Sequence, residues 1–212
     1  QGPVRAAEHA TPGSGEGSAH ADAAGPGRDG RPGGQLTRFH PASQDDLAPS
    51  GQARVLAANL KALETLRVIE AQGYPATPDQ QRDLARWAAF GAVPGVFDEE
   101  REDLAAERAR LKELTTADDY RSLRRTTRNA HYTHARYAEL IWDALTQLGL
   151  TGGDVLEPGC GSGNFIGLAP DGVAMTGIER DPITAAIAAH LYRHANIRAE
   201  SFADTRIPAM YF

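Results

Sequence analysis

Three glycines separated by single residues constrain this chain more than any other feature in it. They lie in Val155-Leu156-Glu157-Pro158-Gly159-Cys160-Gly161-Ser162-Gly163-Asn164-Phe165, where an apolar run ends in an acid and the backbone then turns. Glycine reaches backbone angles closed to other residues, and with no Cβ it lets a ligand approach the main chain. The flanking pattern gives this turn its setting. Val155-Leu156 reads as a first strand, a short helix starts near Asn164, residues 174–178 read as a second strand, 182–190 as a second helix and 196–200 as a third strand. Alternating strands and helices at this spacing specify a parallel, doubly wound α/β sheet. Ligands of such sheets sit at the carboxyl ends of the strands, where the glycine turn falls.

Ahead of the sheet the periodicity is helical. Leu56, Leu60, Leu63, Leu66 and Ile69 recur at spacings of three and four within 53–72, and Gly73 supplies a stop. Thr77-Pro78-Asp79-Gln80 is a capping box with proline in the first turn. The helix it opens is expected to carry Leu84, Trp87 and Phe90 on one side until Gly91 and Pro94-Gly95 break it. A charged helix is expected over about 98–114, with Leu104, Leu111 and Leu114 as its apolar stripe, and a short one over 116–124. After the polar-aromatic stretch His131-Tyr132-Thr133, a helix over 135–148 is expected to turn Ile141, Leu145 and Leu148 inward. In residues 1–34, by contrast, Val4 is the only apolar side chain larger than alanine. Such a stretch buries too little surface to offset its ordering entropy. The expected organisation is a disordered tail over 1–38, a helical region over 39–128 and a partial α/β domain over 129–212.

Composition narrows the function. A net charge of -6 gives no global basic field for nucleic acid, so only a local basic groove would serve. Arg121, Arg124, Arg125 and Arg128 cluster before the Tyr132 loop and are where phosphate contacts are expected, against the alternative of a solvated helix face. Cys160 is the single cysteine, which excludes a disulfide framework and a cysteine-rich zinc site and favours a reducing, cytoplasmic setting. Within the turn it reads as packing, since no base adjoins it. His131 and His134 lack an evident third ligand, so no metal is expected. No apolar run approaches the roughly 18 residues of a membrane span, and no membrane partner is expected. Gln1 at the start and Ile207-Pro208-Ala209-Met210-Tyr211-Phe212 at the end suggest a fragment of a longer protein.

The acids around the turn discriminate between ligands. A dinucleotide fold has G-x-G-x-x-G, with a pyrophosphate resting on the helix N-terminus. Here the spacing is G-x-G-x-G and Glu157 stands just before it. A carboxylate there repels pyrophosphate but pairs with an ammonium, which S-adenosylmethionine has. Glu179 ends the second strand, where a carboxylate can accept both hydroxyls of a ribose. Asp181 before Pro182 reads as a helix cap. Asp204, where a third strand would end, is placed to accept from an adenine amino group, with Phe202 packing on the ring.

The order of these motifs resembles the adenine-N6 DNA methyltransferases: Asn129-Ala130-His131-Tyr132-Thr133, then a helix, then Glu157 through Phe165. Tyr132-Thr133 match the family's aromatic-Thr-Pro motif, while His134 replaces its proline and leaves the loop less rigidly set. The chain is more closely similar to the start of very large methyltransferase-helicase proteins of plasmids, phages and conjugative elements. Asp46-Leu47-Ala48-Pro49-Ser50-Gly51, Ala57-Ala58-Asn59-Leu60, Pro182-Ile183-Thr184-Ala185 and Ala199-Glu200-Ser201-Phe202-Ala203-Asp204 carry that likeness, which spans about 39–204. It implies a truncated Rossmann-like S-adenosylmethionine-dependent methyltransferase sheet. Tyr132, Thr133, Glu157, Pro158, Gly159, Gly161, Gly163, Asn164, Glu179, Phe202 and Asp204 would then bind cofactor, and the full-length parent would act on DNA. The family's Asn-Pro-Pro-Phe or Asn-Val-Pro-Phe motif does not occur, and the likeness places it beyond Phe212, so no catalytic residue is assigned here. Helicase motifs are absent from the sequence too. An RNA or protein methyltransferase, and a non-catalytic gene fragment or interaction module, remain the alternatives.

Overall fold

Residues 38–207 are described by the computed structural model of the chain; all but the last residue of the expected tail lies outside them, as do residues 208–212. The first helix, α1 (Gln52–Gln72), is closed by Gly73, whose left-handed backbone (φ 68°) donates to the Ile69 carbonyl. Its buried stripe includes Leu56, Leu63, Leu66 and Ile69, with Leu60 partly buried beside them. The reciprocal Thr77–Gln80 box opens α2 (Pro78–Ala85).

That second helix is shorter than its periodicity suggests. Trp87 and Phe90 are fully buried, but they reach the core from the turn after α2 rather than from its face. Asn59, a buried amide on α1, explains the break. Its Oδ1 accepts from the Ala88 N–H at 2.9 Å and its Nδ2 donates to the Ala89 carbonyl, replacing the bonds that a further helical turn would make. The charged helix also starts later than its composition suggests. Residues 94–97 and 102–104 form short 3-10 turns, and α3 runs only over Ala105–Leu114. Arg108 is buried there and donates to the carbonyls of Asp98 and Arg101 at 2.6 and 3.2 Å, pinning those turns to the helix. A second capping box, Thr116 with Asp119, opens α4 (Ala117–Thr126).

The helix before the sheet, α5 (Ala135–Gln147), is rotated away from its expected orientation. Ala135, Ala138 and Trp142 face inward, whereas Ile141 (45% exposed), Leu145 (39%) and Leu148 (85%) face out, with Tyr137 and Leu140 beside them. Trp142 sets the rotation: its Nε1–H donates to the Phe165 carbonyl at 3.0 Å and its ring meets Phe165 at 6.4 Å. A buried indole must satisfy its N–H, and that demand outweighs a stripe of leucines.

The sheet is parallel, in the order β1 (Gly153–Pro158), β2 (Val173–Glu179), β3 (Asn196–Ala199). Glu157 lies opposite Gly177, and Ile178 opposite Arg198. The crossovers are α6 (Asn164–Gly167) and α7 (Pro182–Leu191). The molecule is thus mixed α/β, with seven α-helices among the described residues. Residues of α7 join the same apolar cluster as those of α1 and α2, so the helical region and the sheet share a core. Hydrogen bonds that cross that junction include Trp87 Nε1 to Thr184 Oγ1 at 3.0 Å and Ser122 Oγ to Asp181 Oδ2 at 2.7 Å. Among the described residues, the edge of β1 away from β2 has no partner strand. No described helix is long and apolar enough to cross a membrane.

Candidate functional site

Gly159, Gly161 and Gly163 all have left-handed backbones, with φ of 71°, 56° and 89°. The turn they make is stitched to the end of β2. The N–H groups of Gly159 and Cys160 both donate to the Ile178 carbonyl, at 2.7 and 2.9 Å, and Gly161 N–H donates to Glu179 Oε2 at 3.0 Å. The missing Cβ atoms serve different ends. One built on Gly159 meets nothing within 4 Å, one on Gly161 comes within 3.0 Å of the Tyr132 ring, and one on Gly163 comes within 2.6 Å of the Tyr192 ring. Two tyrosines therefore account for two of the glycines, and Gly159 alone is left open for close approach by a ligand.

A cavity opens at this turn. Glu157, Gly159, Cys160, Gly161, Asn164, Phe165 and Glu179 line it from the α/β part, and Tyr132 and Thr133 from the loop before α5. The helical region contributes Ala89, Ser122, Arg125, Thr126 and Asn129, and His131, Arg180, Asp181 and Thr184 complete the wall.

Glu157 is the group most out of balance in it. Its Oε2 is buried without a hydrogen-bond partner. Burial, and then the neighbouring Glu179, push its carboxyl up to about 8. A buried, unsatisfied carboxylate is costly, and a cationic donor is the partner that relieves it. Glu179 is also raised, first by burial, against the backbone N–H groups that hold it down. Its Oε1 accepts from Asp181 N–H at 2.8 Å and its Oε2 from Gly161 N–H, so it clamps the turn. Each oxygen keeps a further lone pair for a ligand hydroxyl.

Several of the other polar groups around the turn are structural. Asp181 caps α7, accepting from Thr184 N–H and Oγ1 at 2.8 Å each, as its place before Pro182 suggests. Asn164 Nδ2 donates to the Thr133 carbonyl at 2.8 Å and holds the Tyr132–Thr133 loop. His134 caps α5 by accepting from Arg136 N–H. Cys160 is buried under the turn, where a Cβ on Gly177 would come within 2.7 Å of its Sγ, and burial raises its thiol pKa, keeping it neutral. It packs rather than reacts. Burial, then Glu179, likewise hold the Tyr132 phenol above its ordinary range.

Of the residues assigned from sequence, Tyr132, Thr133, Glu157, Gly159, Gly161, Asn164 and Glu179 meet around this one cavity. Pro158 and Gly163 are outside its lining, Pro158 exposed and Gly163 packed on Tyr192. Phe202 and Asp204 are outside it too. They form a 3-10 turn after β3, with Phe202 50% exposed, and that turn is closed on itself by Thr205 Oγ1 bonding Glu200 Oε1 and the Ser201 carbonyl. The arginine cluster is divided. Arg125 lines the cavity, Arg121 pairs with Asp118, Arg128 is exposed, and Arg124 lines a separate surface recess with Phe97, Asp98 and Tyr120. The contributions of Ala89, Ser122 and Thr126 carry no motif, and no spacing signal places them beside the glycine turn. Among the described residues, no group of three or more His, Cys, Asp or Glu is placed to hold a metal ion. No protein-family model, curated protein or solved structure matches the chain.

Proposed function

We propose that this chain carries the S-adenosylmethionine-binding part of a Rossmann-like DNA adenine-N6 methyltransferase. One observation carries the reading: a buried carboxylate oxygen of Glu157 stands unpartnered where the first parallel strand runs into a left-handed glycine turn. A pyrophosphate would bring further negative charge beside two acids that burial already holds above their ordinary range, whereas an α-ammonium satisfies the orphan oxygen and lets Glu157 ionise. In this reading Glu157 takes the ammonium, open Gly159 lets the methionine portion approach the backbone, and Glu179 offers its free lone pairs to ribose hydroxyls. Asn164 keeps the Tyr132–Thr133 loop in place over that portion. The bound cofactor would supply an electrophilic methyl group; the protein residues here bind and orient it and exclude water. Methyl transfer to a flipped-out adenine rests on the motif resemblance, with the exposed Arg124 and Arg128 as the cations left for phosphate contacts.

Calorimetric titration of the purified chain tests the cofactor reading. S-adenosylmethionine should bind, NAD should not, and Glu157→Gln should lose at least about tenfold in affinity, the loss of one charge-assisted hydrogen bond. Binding of NAD in preference, or no binding of the methyl donor, refutes it. Assaying methylated adenine in DNA, against RNA and protein acceptors, with the chain and with any longer protein that contains it, tests the substrate.

A further inference from the structure

We propose that Arg125, contributed by the helical region, is the anion-recognising residue of the cavity and receives the carboxylate of the ligand's amino-acid portion. The inference rests on the cofactor reading and extends it to a zwitterionic ligand. The strand and turn bring carboxylates only, Glu157 and Glu179, and these can satisfy an ammonium and hydroxyls but no anion. A ligand with both charges also needs a cation in the lining. Arg125, an exposed side chain, enters the lining from the last turn of α4, and no hydrogen bond or ion pair ties it down among the described residues.

Its backbone, by contrast, is held on both sides. Ser122 Oγ donates to Asp181 Oδ2 at 2.7 Å, and Thr126 Oγ1 accepts from Phe90 N–H at 3.2 Å while donating to the Leu123 carbonyl. The base of the side chain is thus fixed beside the cavity, and the uncommitted guanidinium is available for the bidentate contact that its planar fork makes with a carboxylate. Arg180, the other guanidinium in the lining, is exposed as Arg125 is, but follows Glu179 directly in the bend after β2. The helical region then has a defined role: it brings to the cavity a cation from an element other than those that carry the two carboxylates.

The test compares two ligands on three proteins. S-adenosylmethionine and its decarboxylated analogue are titrated calorimetrically into the unaltered chain, Arg125→Gln and Arg180→Gln. Arg125→Gln should weaken the methyl donor by about tenfold to a hundredfold, the range for a hydrogen bond between charged groups, and leave the decarboxylated analogue unchanged. Arg180→Gln should change neither. Equal losses for both ligands, no loss, or discrimination that follows Arg180 instead would overturn the assignment while leaving the cofactor reading intact. If the unaltered chain bound neither ligand, both would fall together.

Discussion

Replacing Glu157 with glutamine should make the protein more stable, and only above the acid range. Burial and Glu179 hold this carboxyl at about 8, against 4.5 for the free group. Between those values the folded chain keeps a proton that the unfolded chain has released, so stability falls as pH rises through the interval. At about 1.4 kcal/mol per unit, the loss amounts to roughly 3 kcal/mol at neutral pH and under about 1 kcal/mol near pH 5. The glutamine variant has nearly the same shape and no such titration. It should match the parent near pH 5 and exceed it by about 3 kcal/mol near pH 7. Slopes from other groups cancel in the difference. Urea unfolding followed by fluorescence of the buried Trp87 and Trp142 measures both proteins across that range. A variant that is less stable than its parent at neutral pH, or a difference independent of pH, would refute the reasoning. The same chemistry makes cofactor binding release a proton from Glu157, so affinity should rise with pH between about 6 and 7.5. Titration in buffers of different ionisation enthalpy would count the proton.

The glycines of the turn should separate by their contacts. Gly163→Ala adds an overlap with the fully buried Tyr192 ring to the cost of its positive φ and should lose about 3 kcal/mol, whereas Gly159→Ala pays only for its backbone, about 1–2 kcal/mol, and obstructs the ligand instead. Denaturation and binding measured together check this, and equal destabilisation of the two would contradict it. The outward stripe of α5 should promote self-association, since exposed apolar patches of this kind recruit partners. Leu140→Glu with Leu148→Glu should lower the sedimentation-averaged mass at high concentration without altering the unfolding midpoint by more than about 0.5 kcal/mol; an unchanged mass would show that this face is inert.

Features whose partners lie within a few residues were legible from sequence. The Thr77–Gln80 box, the Gly73 stop, the Asp181 cap and the order of strands and helices all depend on local bonds or local periodicity, and side-chain spacing records these directly. The glycine turn with Glu157 and Glu179 was legible for the same reason, because strand, turn and strand bring those acids together along a short stretch of chain. Long-range partners decided the rest. Asn59 ends α2 from a neighbouring helix, and Trp142 rotates α5 to reach the Phe165 carbonyl. Tyr132 and Tyr192, not a ligand, require Gly161 and Gly163, and Phe202 with Asp204 turn back beyond β3 instead of lining the cavity. The wall that carries Arg125 comes from helices far earlier in the chain, held against α7 by the bonds of Ser122 and Trp87. A one-dimensional pattern shows which side chains share a stripe. Which stripe is buried, and what it meets there, depends on the competing demands of residues that only folding brings together.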